Sequence, residues 1–222
     1  MIICLVTDRR RLGAAIGARA GELIEALELQ VVAAARAGVD FVQVREPDLE
    51  ASAVAALVRS ITFKCRDTSV KVLVNDRVDV ALAAHAAGVQ LKASSYSPDQ
   101  VRRLAPRGFV IGCSVHTPLT ATARRSADFL IAGTVMPTVS KQPADYLGWK
   151  GLEKVIGAAH GTPVLGIGGL DLSSIPMLVA SGAAGVAAVG AFIPTIGQGP
   201  AEFVHKRVIE LRFAFDSARR DP

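Results

Sequence analysis

Short apolar runs alternate with longer amphipathic stretches along the whole chain. The runs cover residues 2–6, 39–44, 70–74, 88–91, 109–113, 128–132, 163–167 and 185–190. They are continuously apolar and not alternating, the pattern of parallel strands buried on both faces. Between them the apolar positions change to a helical period. Residues 22–37 place Leu23, Leu27 and Val31 on one face, and Gly38 ends the stretch. Further helices are predicted over residues 51–64, 78–86, 118–126, 150–160, 175–181 and 200–219. Another starts at Ser97-Pro98-Asp99, where proline suits a first helical position. Residues 9–19 are polar and glycine-bearing and read as a loop, and residues 133–147 read as a long one. Eight strand–helix units in unbroken alternation predict an α/β fold, a single (β/α)8 TIM barrel over residues 1–222. A doubly wound sheet would have fewer strands and usually a glycine-rich first turn. The first turn here, Thr7-Asp8-Arg9, has no glycine.

Two strand ends stand out. Pro163-Val164-Leu165-Gly166-Ile167-Gly168-Gly169 ends in a glycine pair, followed by the capping residues Asp171 and Ser173. The run from Gly185 ends at Val189-Gly190. Bare backbone amides there suit an anion, and adjacent strands of this kind match the phosphate site after strands seven and eight of a barrel. Gly168, Gly169, Val189 and Gly190 are therefore the candidate phosphate cradle.

The other informative polar groups also follow strands. They are Gln43, Arg45 and Glu46; Asn75, Asp76 and Arg77; Ser114, His116 and Thr117; and Thr138, Ser140 and Lys141. All these strand ends converge on the catalytic face of a barrel. Arg45 reads either as an anion clamp or as a structural pair with Glu46 or Asp76. Asp76 reads as a Mg²⁺ ligand or as the cap of the helix at residues 78–86. Thr138, Ser140 and Lys141 could wrap a phosphate or belong to a solvated loop. His116 is the only histidine at a strand end, and an imidazole near neutral pKa can move protons. His85, His160 and His205 lie in predicted helices and read as ordinary packing or surface residues.

Half of the 222 residues are apolar and 20% are charged, which excludes a disordered chain. The net charge is +5 and the pI about 9.4. Aromatics are only 5% and no dense basic block appears, so nucleic acid is not expected. A basic enzyme for phosphorylated small molecules fits the charge. Arg9-Arg10-Arg11 and Arg219-Arg220 read as solvated clusters. Cys4, Cys65 and Cys113 are odd in number and have no metal spacing, which points to a reducing, cytoplasmic setting. No leader peptide and no membrane span is expected.

Five segments occur in one order: Val42-Gln43-Val44-Arg45-Glu46, Val74-Asn75-Asp76-Arg77-Val78-Asp79, Gly112-Cys113-Ser114-Val115-His116-Thr117, Met136-Pro137-Thr138-Val139-Ser140-Lys141 and Gly166-Ile167-Gly168-Gly169. Together they resemble the thiamine phosphate synthase/TenI superfamily over nearly the whole chain. The resemblance implies a (β/α)8 barrel, a homodimer and one of two activities. The synthase joins a pyrimidine pyrophosphate to thiazole phosphate with Mg²⁺. TenI-type tautomerases aromatise a thiazole carboxylate phosphate without metal. Arg45, Asn75, Asp76, Ser114, Thr138, Ser140 and Lys141 look like the synthase's pyrimidine and phosphate contacts, with Gln43 beside them. Against that activity, Pro47 stands where the synthase has lysine. Ser95 falls where the synthase has a second acidic Mg²⁺ ligand, and no carboxylate precedes Asp99 in that stretch. Against TenI, Asp76 falls where a tautomerase-like relative has glycine, and Gly190 replaces an expected serine. The expectation drawn is a thiazole tautomerase acting on thiazole phosphate, with His116 and Ser114 as catalytic groups and no cofactor. The alternatives are the synthase, with Mg²⁺ at Asp76, and a non-catalytic regulatory or binding protein on the same scaffold.

Overall fold

The computed structural model describes residues 1–138, 146–195 and 197–220. Eight parallel strands, β1 (Ile2–Val6), β2 (Phe41–Val44), β3 (Lys71–Asn75), β4 (Gly88–Leu91), β5 (Val110–Val115), β6 (Phe129–Gly133), β7 (Val164–Ile167) and β8 (Gly185–Ala188), close into a barrel in sequence order. Closure is direct: β1 pairs with β2 through Cys4↔Phe41 and with β8 through Ile2↔Gly185. The predicted (β/α)8 barrel is therefore the observed architecture.

The helices are α1 (Arg9–Ile16), α2 (Leu23–Arg36), α3 (Ala51–Lys64), α4 (Val78–Ala83), α5 (Pro98–Leu104), α6 (Pro118–Arg124), α7 (Gly148–Ala158), α8 (Ile175–Ala180) and α9 (Pro200–Arg220). The starts of α5 and α6 have local causes. Ser97 and Thr117 each accept a hydrogen bond from the backbone three residues on, and proline follows each cap.

The expectation of a loop over residues 9–19 is corrected, because Arg9–Ile16 is helical. Asp8 Oδ1 accepts from the Arg11 N–H at 2.9 Å, and Gly17 at φ 71° closes the helix in the left-handed region. Leu12 is fully buried and anchors it. Leu12 and the half-buried Ile16 are its only large apolar residues, too sparse a signal to read as an amphipathic face. Asp171 does act as a cap, but of a short 3₁₀ turn, Leu172–Ser174, that leads into α8.

The strands bury both faces, as their composition requires. Outward-facing side chains such as Ile3, Leu5, Val42 and Val72 join the helices in one core. Inward-facing Cys4, Val6, Leu73, Val110, Phe129, Ile131, Leu165 and Ala187 fill the barrel itself. Phe129 stacks on Phe41 with centroids 4.8 Å apart. It fits because position 112 is glycine: a Cβ there would lie 2.4 Å from the Phe129 Cζ. The bottom of the barrel is thus plugged, and any site must lie at the other end.

Candidate active site

Strand periodicity places Gln43 and Arg45 on one side of β2 and its extension, and Ser114 and His116 on one side of β5. All four line a cavity of about 250 Å³ at the C-terminal mouth of the barrel. Val6, Ile131 and Ile167 give it apolar surface, Asn75 joins the polar wall, and Lys92 joins Arg45 and His116 at the rim. The Gln43 Nε2 donates to Asn75 Oδ1 at 2.8 Å, which fixes both amides. Gln90 Nε2 donates to the Ser114 hydroxyl at 3.3 Å, and the buried Gln90 Oε1 has no partner among the described residues.

The structure removes the pairs considered for Arg45. Glu46 is buried and bound by Arg9 Nη1 at 2.8 Å, and Asp76 is bound by Lys92 Nζ at 2.8 Å. Arg45 is held by its backbone N–H, which donates to Thr7 Oγ1 at 2.9 Å, and the residue lines the cavity. It has no ion pair among the described residues. Arg9 also corrects the reading of residues 9–11 as solvated. It is 8% exposed and chelated by Glu46 and Asp48. Those hydrogen bonds and charges outweigh burial and raise its pKa, with Asp48 the main cause.

Asp76 is not a helix cap. The residue flanking α4 is Arg77, and it makes no side-chain cap bond. Asp76 instead adopts φ 63°, a strained conformation for a non-glycine residue. One of its carboxylate oxygens meets Lys92 Nζ. The other accepts from the Ser95 hydroxyl and from the Lys92 backbone N–H at 3.3 Å. Burial tends to raise its pKa, but hydrogen bonds from Lys92 and Ser95 more than cancel this and hold the carboxyl below the usual range. The donor set does not fit a resident Mg²⁺ ion. Asp76 stands without a second carboxylate and its oxygens are already engaged. No cluster of three or more metal-ligating side chains occurs among the described residues.

His116 is exposed at the rim, and its ring Nδ1 contacts the Gly133 carbonyl. A carbonyl only accepts, so Nδ1 carries the proton of the neutral ring and Nε2 is left as an acceptor. The glycine pair is more structural than the sequence suggested. Gly168 and Gly169 have φ of 96° and 65°. A Cβ at Gly168 would lie 2.4 Å from Thr134 Cγ2, and one at Gly169 2.4 Å from the Pro137 carbonyl oxygen. These glycines admit the β6–α7 connection, whose Met136 N–H donates to the Gly168 carbonyl at 3.0 Å. Gly190 is different: a Cβ there would meet only Arg11 Nη2, at 3.5 Å. Thr138 is half-buried on that connection, whereas Ser140 and Lys141 lie outside the described residues.

Lys92 and Arg11 were not among the sequence candidates. A signal for Lys92 existed, since it lies two residues beyond Gln90, whose side chain points inward. Arg11 gave none, because its helix was not visible as a helix.

A family profile described as thiamine monophosphate synthase matches residues 5–192. A Roseiflexus castenholzii protein named thiamine-phosphate synthase is 36% identical over 195 residues, spanning 86% of this chain and 81% of that one. A namesake from Methanospirillum hungatei is 34% identical over 170 residues, spanning 75% and 82%. The solved thiamine phosphate pyrophosphorylase of Pyrococcus furiosus superposes with a TM-score of 0.77 at 27% identity, covering 98% of this chain and 96% of that one. A 3-hexulose-6-phosphate synthase with a TM-score of 0.65 and 18% identity shares the fold alone. These relatives overturn the expectation of a thiazole tautomerase, an isomerase, in favour of the synthase alternative.

Proposed function

The chain belongs to the thiamine monophosphate synthase family, and from that premise we propose that it joins a hydroxymethylpyrimidine pyrophosphate to thiazole phosphate. The thiazole ring nitrogen forms a bond to the exocyclic methylene carbon of the pyrimidine. The bond from that carbon to oxygen breaks, and pyrophosphate leaves with the electron pair. The observation that carries the reading is Arg45, which lines the cavity with no ion pair among the described residues. A planar guanidinium cation there suits negative charge developing on a leaving group.

Gln43, Asn75 and Ser114 suit the ring nitrogens and amino group of the pyrimidine, with Val6, Ile131 and Ile167 against the apolar ring faces. The His116 Nε2, an acceptor in the tautomer argued above, suits the same amino group. The joining reaction gives it no proton to carry across the thiazole. The thiazole phosphate is assigned to the amides around Gly168, Gly169, Val189 and Gly190. Thr138, Ser140 and Lys141 are assigned to it from sequence.

The test is formation of thiamine phosphate from the two substrates by the purified protein. Product is expected, with no aromatisation of thiazole carboxylate phosphate. Binding of both substrates without turnover would overturn the reading and select the silent scaffold.

A further inference from the structure

We propose that the Lys92 ammonium takes the place of a divalent cation in this site, so that the protein binds pyrophosphate without metal. The inference rests on the synthase reading and concerns how that site handles its most charged group.

Lys92 begins the connection that follows β4, and its Nζ lies 2.8 Å from Asp76 Oδ2. Asp76 is the carboxylate to which a metal would have to bind. The ammonium thus occupies one side of that carboxylate, and the Ser95 hydroxyl and Lys92 amide occupy the other. A Mg²⁺ ion would have to displace a bound cation and then sit beside it, with one carboxylate to hold it. An ammonium has three donors, and one satisfies Asp76. The Lys92 side chain is 60% exposed and lines the same cavity as Arg45, so its other donors are open to an anion there. With Asp76 neutralised by Lys92, Arg45 leaves the rim with a net positive charge.

The arrangement is held from behind. Arg124 of α6 donates to the carbonyls of Ala93 and Ser95 at 2.8 and 2.7 Å, and to that of Tyr96. One guanidinium therefore fixes the connection that carries both Lys92 and Ser95. The backbone from which Lys92 reaches Asp76 is thereby held in place, while the ammonium itself stays open to the mouth. A lysine there also explains why serine can stand at position 95. The carboxylate that would complete a metal site has no cation left to hold, and a hydroxyl can donate to Asp76 where a second carboxylate would repel it.

The test is calorimetry with inorganic pyrophosphate on the whole protein, in chelator and in excess MgCl₂. The wild type is expected to bind in chelator, and MgCl₂ should not tighten binding. Lys92→Met and Lys92→Gln should each lose about tenfold or more in chelator, about 1.4 kcal/mol. Unchanged circular dichroism would confirm that both are folded, as an exposed side chain leads one to expect. Lys92→Gly combined with Ser95→Asp should make binding depend on MgCl₂. Wild-type binding only with MgCl₂, no binding in either condition, or full affinity in both single variants would each overturn the proposal. Product formation is read separately. Pyrophosphate binding as expected without thiamine phosphate would remove the synthase reading and leave the Lys92 site standing.

Discussion

At the scale of single residues, the glycines at the strand ends divide into two kinds. Gly168 and Gly169 carry positive φ and press against Thr134 and Pro137, so a side chain there disturbs packing before it meets any ligand. Gly190 has space for a Cβ, and Arg11 Nη2 is its neighbour. Gly190→Asp is therefore the clean probe of the phosphate assignment. It should fold and raise KM for thiazole phosphate by about tenfold or more, because a carboxylate competes with the phosphate for the same donors. Gly168→Asp should instead lower Tm along with any change in binding. Equal KM for Gly190→Asp and wild type would move the phosphate elsewhere. The distinction could not be read from the chain, in which both positions are glycines after apolar runs. That Arg45, Asn75, Ser114 and His116 meet at the cavity mouth was legible because a strand end in a barrel has only one place to go. Around Lys92 the chain stands out for the carboxylate it lacks and not for the cation it supplies.

Among elements, the junction of β1, α1 and β2 holds a helix that local periodicity does not mark. Its first residue, Arg9, is fixed from outside the helix. Glu46 accepts from the Arg9 N–H at 3.1 Å and from its Nη1 at 2.8 Å, and Asp48 accepts from both of its terminal nitrogens. The helix is set by contacts 37–39 residues away in sequence, which periodicity over a short window does not see. The strands, by contrast, announce themselves through local composition. Glu46→Ala leaves Arg9 buried with only Asp48 and should cost about 2–3 kcal/mol. Differential scanning calorimetry should record a fall in Tm of roughly 5–10 °C. A shift under one degree would mean that Asp48 alone carries the junction. Asp48 also sets an acid limit. The Arg9 hydrogen bonds hold its carboxyl at about 2, below its unfolded value near 4. A depressed carboxyl stabilises the fold above the unfolded value and loses that contribution as pH falls from about 4 to about 2. The stability gap between wild type and Asp48→Asn should therefore be constant above that window and close within it.

For the whole molecule, the net charge of +5 and the position of its cations act together. Arg45 and Lys92 face the cavity mouth, and Asp76, the carboxylate beside them, is spent on Lys92. The apolar strand interior beneath the mouth keeps water from screening that charge from below. A polyanionic substrate approaching this end of the barrel therefore meets a field that draws it in. Salt weakens such a field once the screening length falls to about 10 Å, near 0.1 M. Raising NaCl from low ionic strength through that range should raise KM for the pyrimidine pyrophosphate by roughly threefold to tenfold, while kcat stays nearly constant. Steering governs capture of the substrate, and the fixed donors that act in the transition state are not displaced by monovalent ions. Lys92→Met should flatten the dependence, because one of the two charges that produce it is gone. A KM that ignores salt in the wild type would mean that contact inside the mouth, and not the field outside it, determines capture. A kcat that falls with salt in step would mean that the ions compete for the same donors that hold the leaving group.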